Sequence, residues 1–107
     1  MDISKKIKEI LLENKMNISK LLTVFNSLAL NYRENYDFIN NTIINSLTSL
    51  DIIKSGLPRT KLSPQEMKKN SDENYIKNIG ILTNHIHVLI NMNPKIKDTL
   101  SNELNNF

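Results

Sequence analysis

Both histidines of the chain lie one residue apart, within residues 84–90, and this pair is the most suggestive chemical feature of the sequence. In a β-strand, His85 and His87 would share a face and could bind one divalent metal ion. In an α-helix, residues at this spacing point about 200° apart and cannot bind the same ion. The metal-binding hypothesis therefore depends on the backbone that this segment adopts.

Residues 83–92, followed by Pro94, resemble the histidine–hydrophobic–histidine motif strand of single-tyrosine transposases and relaxase-like nucleases, which nick single-stranded DNA. The resemblance implies that His85 and His87 are metal ligands that polarise a scissile phosphate. It also requires a catalytic tyrosine on a later helix, whereas no tyrosine follows Tyr75 here. A fragment of such a nuclease is one alternative for the function.

A second candidate site is a basic cluster in the middle of the chain, where five basic residues accompany a single acidic one. Lysine and arginine side chains at the tip of a helical hairpin could contact phosphates. The segment contains no aromatic residue for stacking on bases. A small nucleic-acid-binding regulator is thus another alternative, with these candidate anion-binding residues: Lys54, Arg59, Lys61, Lys68 and Lys69.

Other kinds of chemistry lack their characteristic residues. The chain has no cysteine for a disulfide framework or a thiolate metal site, and its two glycines do not form a phosphate-binding loop. We therefore expect no enzymatic activity and no cofactor. The absence of cysteine, of a signal-peptide pattern and of an apolar run near the required length of about 20 residues favours a cytoplasmic protein. Binding to a membrane surface is not expected.

Apolar residues recur every three or four positions from Ile3 to Ile53, which predicts amphipathic helix over residues 2–55. Asp2 is the expected N-terminal cap. This half contains no glycine or proline before residue 56, so it is either one long helix or two helices with a break. Polar residues at 14–19 and 31–35 are two candidate breaks, and Asn17 or Ser19 could cap a new helix after the first of them.

Gly56 and Pro58 predict that the first half ends near Ser55. A capping box formed by Ser63, Pro64 and Glu66 predicts that a second helical half begins there, after a connection over residues 56–63. The apolar pattern then continues over residues 64–107. Asn93 and Pro94 are expected to end one helix, with Asn93 capping the last one.

These patterns predict one all-α domain over residues 1–107, built as an antiparallel helical hairpin or as a three- to four-helix bundle with coiled-coil-like packing. The apolar stripe is longer than a two-helix hairpin could bury. We therefore expect a non-enzymatic interaction or assembly protein that self-associates or binds the helices of a protein partner. The predicted partner-binding residues are Ile3, Ile7, Ile10, Leu22, Phe25, Ile96, Leu100 and Leu104.

Overall fold

The computed structural model describes residues 2–54 and 64–107, except for the side chains of residue 54 and residues 64–71, and all regular elements in these ranges are helical. The all-α prediction is confirmed. The predicted connection over residues 56–63, with its Ser63 cap, lies outside the described residues. The elements are α1 (Ile3–Glu13), α2 (Asn17–Asn31), a 3₁₀ turn (Arg33–Asn35), α3 (Tyr36–Phe38), a π-helical turn (Ile39–Ile44), α4 (Asn45–Lys54), α5 (Pro64–Met92) and α6 (Lys95–Leu104).

The two candidate breaks of the first half are real, and the first helix begins as predicted. The Asp2 carboxylate accepts a hydrogen bond from the backbone N–H of Lys5 at 3.2 Å, so Asp2 caps α1. The cap of α2 differs from the prediction, because Met16 holds the N-cap position and its side chain does not cap the helix. The Asn17 amide instead donates to the Ile10 carbonyl at 3.0 Å, and the same carbonyl accepts the backbone N–H of Asn14 at 3.3 Å.

The π-helical turn explains how the middle of the chain keeps one face in the core. Ile39, Ile43 and Leu47 are spaced by four residues and are fully buried. In an α-helix, each step of four residues rotates the side chain about 40° further around the axis. A π-helical turn takes more residues per turn and offsets this rotation. The helical backbone therefore continues from Tyr36 to Lys54 with its apolar residues on one side.

All of the longer helices contribute to one hydrophobic core. The molecule measures 46 × 25 × 20 Å, and α5, at about 1.5 Å per residue, extends over most of its length. It packs against α1, α4, the π-helical turn and α6. The core residues on α5 are Tyr75, Ile79, Leu82, Ile86 and Leu89. None of the described helices combines the length and the hydrophobicity that a membrane span requires.

The corner between α5 and α6 is held by polar contacts rather than by the predicted cap. Pro94 holds the N-cap position of α6, and it makes no side-chain bond there. The Asn93 amide donates instead to the Glu34 carboxylate and to the side-chain oxygen of buried Asn35, each at 3.0 Å. These bonds attach the end of α5 to the 3₁₀ turn, because the buried Asn35 oxygen needs a donor.

Candidate functional site

The predicted partner-binding residues lie in the chain's own core. Leu22 is half-buried, and the other seven are no more than 4% exposed. The breaks after α1 and α2 allow the helices to fold back on one another, so the stripe that we expected to reach a partner is covered from within. These side chains do not form an exposed surface in this structure: Ile3, Ile7, Ile10, Phe25, Ile96, Leu100 and Leu104.

The histidine pair does not form the site that a strand would have given. His85 and His87 both lie in α5, and their side chains therefore point about 200° apart. His85 is half-buried and His87 is exposed. No group of three or more potential metal ligands occurs among the described residues. The nuclease resemblance would require a β-strand at residues 83–92, and these residues are helical instead.

The basic cluster falls largely outside the described residues. Arg59 and Lys61 belong to the undescribed segment, while Lys54, Lys68 and Lys69 lie in helices whose side chains are not described at these positions. Anion binding by this cluster remains a prediction from the sequence. Neutralising the five residues should weaken a salt-sensitive nucleic-acid complex if that prediction is right.

A row of exposed apolar side chains follows the outer face of α5. Ile81, Val88 and Met92 are 40%, 45% and 53% exposed, and half-buried His85 lies between the first two. The spacing of four, three and four residues places these four side chains within about 60° of one another around the helix axis. We call Ile81, His85, Val88 and Met92 the α5 outer stripe.

The chain segment that carries the α5 outer stripe has no formally charged residue over a long stretch. Residues 78–94 contain no aspartate, glutamate, lysine or arginine, and the first charged residues beyond them are Lys77 and Lys95. Asparagines Asn84 and Asn91 are exposed beside the stripe. A solvent-facing helix surface ordinarily carries charged residues. This face therefore has the composition of a contact surface, which is depleted in charge at its centre.

The stripe was not predicted, although the sequence contains a signal for it. Its residues are interleaved with buried ones over residues 79–90, so the segment resembles a single apolar run rather than two faces of one helix. The seventeen residues without charge, 78–94, are the distinguishing mark. Among the described side chains, the exposed apolar residues outside the stripe are Leu12, Met16, Leu30, Tyr36, Ile52 and Ile76.

Leu30 and Tyr36 line a second candidate, an open groove of about 380 Å³ at the corner between α2 and α3. Arg33 and Asp37 complete its lining. Neither of these two charged groups forms an ion pair with another described residue. All four side chains are exposed, so the groove offers little enclosure for a small molecule.

The first half of α5 is anchored to α1 by the buried Tyr75. Its hydroxyl donates a hydrogen bond to the Leu11 carbonyl at 2.9 Å. Burial removes water from the phenol and raises the pKa of Tyr75 to about 12, because the charged form is disfavoured there. The Lys15 ammonium lies 4.9 Å from the centre of the Tyr75 ring and 3.6 Å from the Asp72 carboxylate. These contacts attach α5, which carries the outer stripe, to the end of α1.

Comparison with known proteins gives no match: no family model fits the chain, and no curated protein or solved structure is significantly similar to it.

Proposed function

We propose that this chain is a non-enzymatic helical interaction protein that binds a partner helix through the α5 outer stripe. The supporting observation is the exposure of Ile81, Val88 and Met92 on a face without charge. Several exposed apolar side chains on one side of a helix, in a segment without charge, are a feature of interaction sites. The inner face of α5 already packs in the core, so the outer face remains for a partner.

The spacing of the stripe supports a helical partner in particular. Steps of four, three and four residues are those of the a and d positions of a heptad, with Ile81 and Val88 at d and His85 and Met92 at a. Such a seam packs against a second helix with knobs in holes. We accordingly propose coiled-coil-like packing between α5 and its partner. For the helices around the core, we propose the predicted bundle with coiled-coil-like packing.

The experiment that tests this function compares two exposed positions of α5. A photoreactive amino acid is incorporated at position 88, in the stripe, or at position 76, because Ile76 is 59% exposed and points to another face. After irradiation in living cells, we expect cross-linked protein at position 88 and much less at position 76. Equal yields at the two positions would contradict a role for the stripe.

Salt dependence separates this proposal from the nucleic-acid alternative. Contact through an uncharged apolar face should change little between low and high salt, because there are few charges to screen. Binding through Lys54, Arg59, Lys61, Lys68 and Lys69 should weaken steeply over the same range. Binding of nucleic acid by the purified chain that weakens steeply with rising salt would favour the alternative.

A further inference from the structure

We infer that the α5 outer stripe pairs with the same stripe of a second copy of this chain, in antiparallel orientation. The inference rests on the proposed function and names the partner. The spacing of the stripe residues is symmetric, since the steps of four, three and four residues are the same in both chain directions. Two antiparallel copies therefore place Ile81 opposite Met92, and His85 opposite Val88, around a twofold axis.

Charge supports a self-pairing at this face. The chain carries a formal charge of +3, so two copies repel one another at long range. Residues 78–92 are the part of α5 where two copies can approach without bringing formal charges together. An uncharged stripe matches another uncharged stripe, whereas a charged partner helix would lose hydration against it without gaining an ion pair.

The orientation follows from His85 and from the helix dipoles. Parallel pairing would place the two His85 rings against each other in one layer of the seam. Antiparallel pairing packs each ring against Val88 of the other copy, in two separate layers. It also sets the dipoles of the two helices in opposite directions, which is the more favourable arrangement.

The size of the stripe sets the strength of the complex. Two helices in contact over about three turns bury on the order of 1,000 Å² in total, which is at the low end for a specific interface. We therefore expect a reversible dimer with a dissociation constant of roughly ten to a hundred micromolar. Folding of each copy does not require the partner, because the core of the single chain is already closed.

Sedimentation equilibrium tests the dimer. The purified full-length chain is measured at protein concentrations from the low micromolar range up to about 500 µM. Val88→Asp should raise the dissociation constant at least about tenfold, while Ile76→Asp should leave it unchanged. Circular dichroism shows whether both variants keep the helix content of the parent. A monomer at the highest concentration, or equal weakening by the two variants, would overturn the inference.

Introduced cysteines test the register, since the chain has none of its own. Single variants Ile81→Cys and Met92→Cys are oxidised separately and as a mixture. Antiparallel pairing predicts a disulfide between the two different variants and little within either one alone. Disulfides within each variant would show parallel pairing and overturn the inference, as would the absence of any disulfide.

The outcomes keep the two proposals separate. A chain that stays monomeric yet cross-links another protein from position 88 retains the proposed function and loses the self-pairing. A chain that neither self-associates nor cross-links from position 88 above position 76 loses both.

Discussion

The two faces of α5 carry similar side chains in opposite situations. On the inner face, Leu82 and Ile86 are fully buried, whereas Ile81 and Val88 on the outer face are 40% and 45% exposed. The residues are neighbours in sequence and equally apolar. The difference lies in the covering elements, because α1, α4 and α6 pack on one side of α5 and leave the other side open. An apolar helix face thus indicates a surface that is suited to burial. It does not indicate whether the same chain or a partner covers that surface.

The comparison predicts that the two faces control different properties. Substitutions on the inner face should lower the free energy of unfolding, and substitutions on the outer face should affect association alone.

Leu82→Ala should cause the largest loss in the free energy of unfolding. Truncating a fully buried leucine removes apolar contacts and leaves a cavity, which typically lowers the free energy of unfolding by about 2–5 kcal/mol. Urea unfolding followed by circular dichroism, at a concentration where the chain is monomeric, measures the loss. A cost below about 1 kcal/mol would contradict the burial of Leu82.

Alkaline pH should destabilise the fold through Tyr75. The folded-state pKa of Tyr75 is raised to about 12, above the ordinary value of 10.0, so the folded chain holds this proton more tightly than the unfolded chain. The resulting stability is fully present below pH 10 and is lost as pH rises towards 12, up to about 2–3 kcal/mol. Urea unfolding between pH 8 and pH 11.5 measures this loss. Since Tyr75→Phe lacks the ionisable group, it should show a shallower decline, and equal slopes would contradict the assignment.

At neutral pH, Tyr75→Phe should lower the free energy of unfolding by about 1–2 kcal/mol. The change removes one hydrogen bond and leaves the Leu11 carbonyl without its side-chain donor in a buried place. Tyr36→Phe is the matched control, because Tyr36 is 43% exposed. Thermal unfolding of both variants makes the comparison, and a larger loss for Tyr36→Phe would argue against the anchor.

Val88→Ala should change the stability of the monomer by less than about 0.5 kcal/mol, because exposed positions contribute little. The measurement is urea unfolding at low micromolar concentration beside Leu82→Ala. A loss similar to that of Leu82→Ala would mean that the outer face is part of the core, and the division between the two faces would fail.

Local signals in the sequence predicted much of the helical structure. The Asp2 cap, both breaks of the first half and the change of helix near Asn93 follow from residue types at single positions. The π-helical turn was missed, although the spacing of Ile39, Ile43 and Leu47 is its sequence counterpart. The role of Asn93 was also missed, because its partners Glu34 and Asn35 are distant in sequence.

The candidate site was harder to predict than the fold. Ile7, Phe25 and Leu100 have the properties of an interface, yet the tertiary fold covers them. Ile81 and Val88 are as apolar as core residues, yet the fold leaves them exposed. Periodicity along one helix gives the direction of each side chain relative to its neighbours. It contains no information on the position of the other helices, which decides exposure.

The end of α1 has a consequence for the order in which the chain folds. Its carbonyl groups at Ile10 and Leu11 are bonded by the side chains of Asn17 and Tyr75, and the second of these is 64 residues away. A contact at that separation closes a long loop, so it forms late compared with contacts inside a helix. We therefore expect the last turn of α1 to remain frayed while the chain is being synthesised and to become protected from hydrogen exchange only when α5 docks.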